Sequence, residues 1–127
     1  MRIAIFENEF FVLANMFSLV NLRFDKKLEY FQYNTSQEGL DFVLANEIDL
    51  IIVDIHLTDR SNMDGYQLIK EILLAKPRQS FLIISGFGNV ETINNGLKER
   101  GLPEFRILTK PITTTVLYEA IANYKHQ

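Results

Sequence analysis

No cysteine occurs among the 127 residues. Disulfide staples and thiol catalysis are therefore excluded, and the composition suits a reducing compartment. No apolar stretch approaches the ~20 residues that a bilayer-spanning helix requires. Positive charge is scarce and scattered. The net charge is −3, the sequence pI is about 5.4, and Lys26-Lys27 is the only adjacent basic pair. That pair reads as a solvated turn, so neither a nucleic acid nor a membrane surface is an expected partner. Linkers, internal repeats and low-complexity segments are missing too. Residues 1–127 are thus expected to form a single domain, which at this length buries about two-thirds of its unfolded surface. The chain enters a strand-like segment at once, without a signal-peptide pattern. A small, soluble, cytoplasmic domain is the expectation.

What is present alternates. Strand-like apolar runs cover residues 3–6, 28–33, 49–54, 81–85 and 105–109. Between them lie helical patterns. Residues 10–22 place Val12, Leu13, Met16, Phe17 and Val20 on one face. Thr35-Ser36-Gln37-Glu38 has the form of a capping box and opens a helix through about residue 45. Asp64 is placed to cap a helix running to residue 75 and stopped by Pro77. A helix over 90–100 ends at Gly101, and a last one over 113–124 carries Val116, Leu117, Ala120, Ile121 and Tyr124 on one face. The continuously apolar runs at 50–53 and 81–84 suit central strands of a parallel sheet covered on both sides. The expected fold is α/β, a doubly wound five-stranded parallel sheet of (βα)₅ flavodoxin-like form, with strand order 2-1-3-4-5. The ten Phe and five Tyr fall mostly at core-facing positions, so they read as core and not as a flavin-stacking box.

Four of the strand-like runs end in reactive side chains: Glu7-Asn8, Asp54, Ser85 and Lys110. Acidic residues are rarely buried without a partner. In an open parallel sheet the carboxyl ends of the strands rim the ligand crevice. Carboxylates beside an amide oxygen form a hard-oxygen set suited to Mg²⁺. A lysine supplies positive charge for phosphate oxygens, and a short hydroxyl can donate to one of them. Carboxylates are also nucleophiles, with aspartyl phosphate an established intermediate. Phosphoryl transfer asks mainly for positioning and charge neutralisation.

Five segments make a larger pattern: Ile3-Ala4-Ile5-Phe6-Glu7-Asn8-Glu9, Leu50-Ile51-Ile52-Val53-Asp54, Met63-Asp64-Gly65, Leu82-Ile83-Ile84-Ser85-Gly86 and Leu108-Thr109-Lys110-Pro111. In this order and spacing the chain resembles the receiver domain of two-component response regulators over essentially its whole length. The resemblance implies that Asp54 accepts a phosphoryl group from a histidine kinase or histidine phosphotransferase. It implies that Ser85 is a switch hydroxyl, that Lys110 pairs with phosphate and that the Lys110-Pro111 peptide is cis. Mg²⁺ would be held by Asn8, Asp54 and the backbone carbonyl of His56, with Glu7 long enough to reach in. The only chemistry implied is the domain's own phosphorylation and dephosphorylation. Output would pass to a downstream protein across the face built from residues 90–124, the last two helices and the strand between them, and a homodimer is compatible with it.

Several positions depart from the family pattern. Asn8 replaces the usual second acid. At ~4 Å and an effective dielectric near 20, one carboxylate charge is worth about 4 kcal/mol to a unit cation before desolvation, so weaker Mg²⁺ binding is expected. Thr58 stands where a proline is usual, and Met63-Asp64-Gly65 comes about three residues late. The extra residues, Arg60-Ser61-Asn62, read either as a tolerated surface insertion or as a partner-selecting loop beside Asp54. Ile107 occupies the position of the family's mobile aromatic. Phe105 points to the same face by strand alternation and is expected simply to pack. His56 and Phe87 fall where the family tunes phosphate lifetime. Phe87 reads equally as a shield of the acyl phosphate or as a loop aromatic, while His56, one imidazole without a second, reads as a surface residue. Two alternative functions follow. One is a degenerate receiver acting as a phosphorylation-independent docking module. The other is a flavodoxin-like electron carrier, which the acidic Glu7-Asn8-Glu9-Phe10 loop opposes by repelling an FMN phosphate.

Overall fold

The computed structural model describes residues 1–7, 10–33, 36–56, 63–86 and 90–124. Five strands alternate with five helices: β1 (Arg2–Phe6), α1 (Phe10–Arg23), β2 (Glu29–Tyr33), α2 (Ser36–Ala45), β3 (Leu50–Asp54), α3 (Gly65–Ala75), β4 (Phe81–Ser85), α4 (Val90–Glu99), β5 (Arg106–Thr109) and α5 (Thr114–Tyr124). The strands form one sheet in the order β2-β1-β3-β4-β5, and every neighbouring pair is parallel. This is the doubly wound arrangement that the sequence pattern predicts, with the aromatic-rich β2 at one edge.

Alternation of side chains across the sheet builds two cores. Ile3, Ile5, Leu50, Ile52, Leu82, Ile84 and Leu108 point to one side, where Phe17 and Val20 of α1 and Leu117, Ala120 and Ile121 of α5 cover them. Ala4, Phe6, Ile51, Val53, Phe81 and Ile83 point to the other, against α2, α3 and α4. Every residue of β3 and β4 is buried. Both strands are therefore continuous apolar runs rather than alternating ones. Each fully buried Ile, Leu or Val contributes roughly 1.5–3 kcal/mol.

The helix ends follow local chemistry. Asp64 caps α3, its side chain accepting from Gln67 N at 2.9 Å. Lys76, just past the end of α3, donates its Nζ to the carbonyls of Val43 and Asn46. One ammonium thus satisfies backbone acceptors at the C-terminal end of α2 and ties α2 to α3. Gly101 ends the α4 turn at φ 70°, a left-handed conformation that favours glycine. Lys26 sits in the exposed turn after α1, where it and Asp25 adopt positive φ. Thr35, the first residue of the expected capping box, lies outside the described residues. Ladder pairing of the last strand begins at Arg106, one residue later than the apolar run suggests, and Phe105 packs edge-on against Phe81 at 5.2 Å between ring centroids.

The Asp64 cap is testable. Asp64→Ala should lower the urea-unfolding free energy by about 1 kcal/mol, whereas Asp64→Asn should recover most of it.

Candidate functional site

Strand register decides which polar ends meet. Phe6 stands opposite Val53, so Glu7 and Asp54, the next residue on each strand, are level. Asp54 stands opposite Ile84, and Ile84 opposite Leu108. Lys110 is therefore two residues beyond the level of Asp54, roughly 6.6 Å along the strand direction. Its four-carbon stem spans that offset. Parity then fixes the side. Glu7 continues the row of Ile3 and Ile5, Asp54 the row of Leu50 and Ile52, and Lys110 the row of Leu108. Glu7, Asp54 and Lys110 project toward the same side of the sheet, whereas Ser85 continues the opposite row of Phe81 and Ile83. The β1–β3 junction is also the point at which the strand order reverses, where doubly wound sheets open a crevice.

The outcome is a cation bridging two carboxylates. Lys110 Nζ lies 2.9 Å from Glu7 Oε2 and 3.1 Å from Asp54 Oδ2. Glu7 is 1% exposed and Asp54 9%. Asp54 Oδ1 accepts from the backbone N–H of His56 at 2.9 Å, so each oxygen of Asp54 has a donor. Burial opposes the charge on Lys110, but the contacts with Glu7 and Asp54 more than offset it and raise the ammonium pKa above its ordinary value. Ser85 is buried at the end of β4, and its carbonyl accepts from Lys110 N at 2.8 Å. That backbone bond seats Lys110 on the rim. The Lys110–Pro111 peptide is cis. Behind Asp54, the Gly65 N–H donates to Ile55 O at 3.3 Å.

The structure thus brings together Glu7, Asp54 and Lys110, with Ser85 at the neighbouring strand end. The His56 side chain is exposed, as a surface histidine would be, and its backbone lies next to Asp54. Asn8, Thr58, Arg60, Ser61, Asn62 and Phe87 lie outside the described residues. The His56 N–H contact has no signature in the sequence, because a backbone donor carries no residue identity. Among the described residues, no group of three or more His, Cys, Asp or Glu side chains converges on a metal-sized site. The donors near Asp54 are the carboxylates of Glu7 and Asp54. Among the described residues, two negative charges face one positive charge there, and the carboxylates offer oxygen donors. That set fits a hard divalent cation. A cleft of about 560 Å³ lies elsewhere, lined by Glu47, Asp49, Lys76 and Arg78 among others. Two of its charges are already engaged, since Asp49 accepts from Arg2 N at 2.7 Å and Lys76 binds the α2 carbonyls. The strand-end rim is the better-formed reactive centre.

A family model described as the response regulator receiver domain matches residues 3–122. The chain belongs to this family. A receiver domain protein from Clostridium thermocellum has the same fold at TM-score 0.78 and 27% identity, over 98% of this chain and 94% of that one. A CheY-like receiver domain protein from Methanospirillum hungatei JF-1 matches at TM-score 0.77 and 21% identity, over 98% and 94%. The cell cycle response regulator CtrA of Brucella ovis is 32% identical over 75 residues, 59% of this chain and 30% of that protein. The transcriptional regulatory protein GlrR of Escherichia coli (strain K12) is 32% identical over 84 residues, 66% of this chain and 18% of that protein. This receiver domain therefore spans less than a third of the curated relatives it matches. Its carboxylate–lysine rim is of the kind that phosphoacceptor signalling uses. Among the described residues, no helix is long and apolar enough to cross a membrane.

Removing the cation should expose how the rim is balanced. Lys110→Met leaves two carboxylates level with each other and should cost about 2 kcal/mol at pH 7. That is less than the about 3–5 kcal/mol of a fully buried pair, because Lys110 is partly solvated. The folded-state pKa is raised, so the contribution is fully present below the ordinary value of 10.5 and is lost as pH rises through the folded value. Urea titrations of both proteins should therefore differ most at neutral pH and converge in strong alkali.

Proposed function

We propose that Asp54 is the phosphoacceptor of a receiver-domain switch in a histidine-to-aspartate relay. The observation that carries this reading is the Lys110 ammonium held within 3.1 Å of Asp54 and 2.9 Å of Glu7 at the carboxyl edge of the sheet. A carboxylate oxygen of Asp54 attacks the phosphorus of a phosphohistidine on a kinase or phosphotransferase. A P–O bond forms, the P–N bond breaks, and the electron pair returns to the imidazole nitrogen, which takes up a proton. Lys110 stabilises charge on the phosphoryl oxygens as they approach. The His56 N–H holds Asp54 in place, and the Ser85 hydroxyl is the donor that the modified state recruits. Mg²⁺ would be held by Glu7 and Asp54 with Asn8 and the His56 carbonyl, and when bound it neutralises phosphoryl charge.

The whole chain acts as one receiver unit in the cytoplasm. Modification changes the affinity of the α4–β5–α5 face for a downstream protein by biasing two pre-existing conformations. A second copy of the chain is one partner that face allows.

Acetyl phosphate with Mg²⁺ should add the mass of one phosphoryl group to the protein and none to Asp54→Ala. An unmodified wild type would instead support a docking module that works without phosphorylation. The metal site has its own check. Asn8→Asp adds a carboxylate to the donor set and should tighten Mg²⁺ binding about tenfold, the part of ~4 kcal/mol that survives desolvation. Equal affinities in a metal titration of the two proteins would refute it.

A further inference from the structure

Gly65, the first residue of α3, lies against the strand that carries Asp54. A Cβ at this position would stand 2.7 Å from Ile55 Cα and 2.9 Å from Asp54 O. No side chain fits between them, so the start of α3 follows any movement of the backbone at Asp54 and Ile55. The next residue, Tyr66, reaches the other way, onto α4. A Cβ on Gly96 would meet Tyr66 Oη at 2.6 Å and Cζ at 2.8 Å. The phenol occupies a notch that exists because residue 96 has no side chain. Arg100, the residue after α4, covers the ring, its guanidinium carbon 4.2 Å from the ring centroid. Arg100 Nη1 in turn donates to Gly96 O at 2.8 Å. The ring is held between a helix backbone and a cation fastened to that backbone.

The rest of α4 is lightly seated. Its buried apolar side chains are Ile93 and Leu97, and Val90 is exposed. Asn94 carries its amide oxygen into a buried position with no hydrogen-bond partner among the described residues. The Tyr66 clasp is therefore a main tie between α4 and α3. β5 offers no competing aromatic lever, because residue 107 is isoleucine and Phe105 is already packed on Phe81.

We propose that Tyr66, lodged in the Gly96 notch beneath Arg100, is the positioning residue that couples the state of Asp54 to the seat of α4. The coupling runs through α3 and rests on Asp54 being the phosphoacceptor. A change in the backbone at Asp54 and Ile55 moves Gly65, tilts the Tyr66 ring in its notch and biases α4 between two seats.

The test separates modification from response. Amide resonances of residues 90–99 are followed while beryllofluoride and Mg²⁺ are added, and acetyl phosphate labelling of Asp54 is measured on the same proteins. In the wild type both should respond. Tyr66→Leu should still be modified at Asp54 while its α4 shifts shrink about threefold or more, within the range by which single positions alter coupling. Tyr66→Phe keeps a ring in the notch and should retain the wild-type response, which a general loss of packing would not allow. Gly96→Ala fills the notch and should mimic Tyr66→Leu. If Gly96→Ala does not fold, the Leu and Phe variants decide the matter alone. A Tyr66→Leu protein whose α4 responds as the wild type does overturns the coupling. A wild type that is modified at Asp54 without any response in residues 90–99 also overturns it. A wild type that takes up neither reagent overturns the phosphoacceptor reading itself, and the coupling with it.

Discussion

Two carboxylates on neighbouring strands cannot stand level at the edge of a core unless a cation stands with them. Glu7 and Asp54 do so because β1 and β3 pair with Phe6 opposite Val53, and Lys110 supplies the cation. A slip of one residue between these strands would turn one carboxylate to the opposite side of the sheet. The apolar rows of Ile3, Ile5, Leu50 and Ile52 forbid that slip, since it would carry them out of their core. Hydrophobic burial thus fixes the electrostatics of the site without contributing a polar atom to it.

The same arrangement is reactive. Asp54 is buried enough for its interactions to be strong and open enough to be reached, and the Lys110 charge stands 3.1 Å from one of its oxygens. The ion pair is the resting form of a site whose cation can also serve an incoming phosphoryl group. Exchange of one anionic partner for another costs far less than assembling a cationic site anew, which is what preorganisation means in physical terms.

Much of this was legible in the residues. Continuous apolar runs identify β3 and β4 because burial on both faces removes alternation. Asp64 announces the start of α3 because a cap is a local interaction, and the polar strand ends stand out because a charge after a buried run needs a reason. Other features left no local trace. The exact pairing of Lys110 with both Glu7 and Asp54 depends on registers across three strand junctions, none written in a contiguous segment. Nothing in the sequence joins Tyr66 to Gly96; only packing of α3 on α4 shows that each explains the other. The late start of β5 has a similar origin, since Phe105 satisfies the strand pattern but is drawn instead onto Phe81.

The sheet is also a partition. Asp54 belongs to the row covered by α1 and α5, whereas Ile93 and Leu97 of α4 lie in the core on the far side. The two half-cores are separated by a hydrogen-bonded layer whose central strands are wholly buried. An event at Asp54 has a direct way around that layer at the carboxyl rim, where Gly65 of α3 packs on the backbone of Ile55 and Asp54. The helix that starts at Gly65 thus touches the acceptor strand on one side of the partition and, through Tyr66, α4 on the same side, so the chemistry in one half-core reaches the other without crossing the sheet.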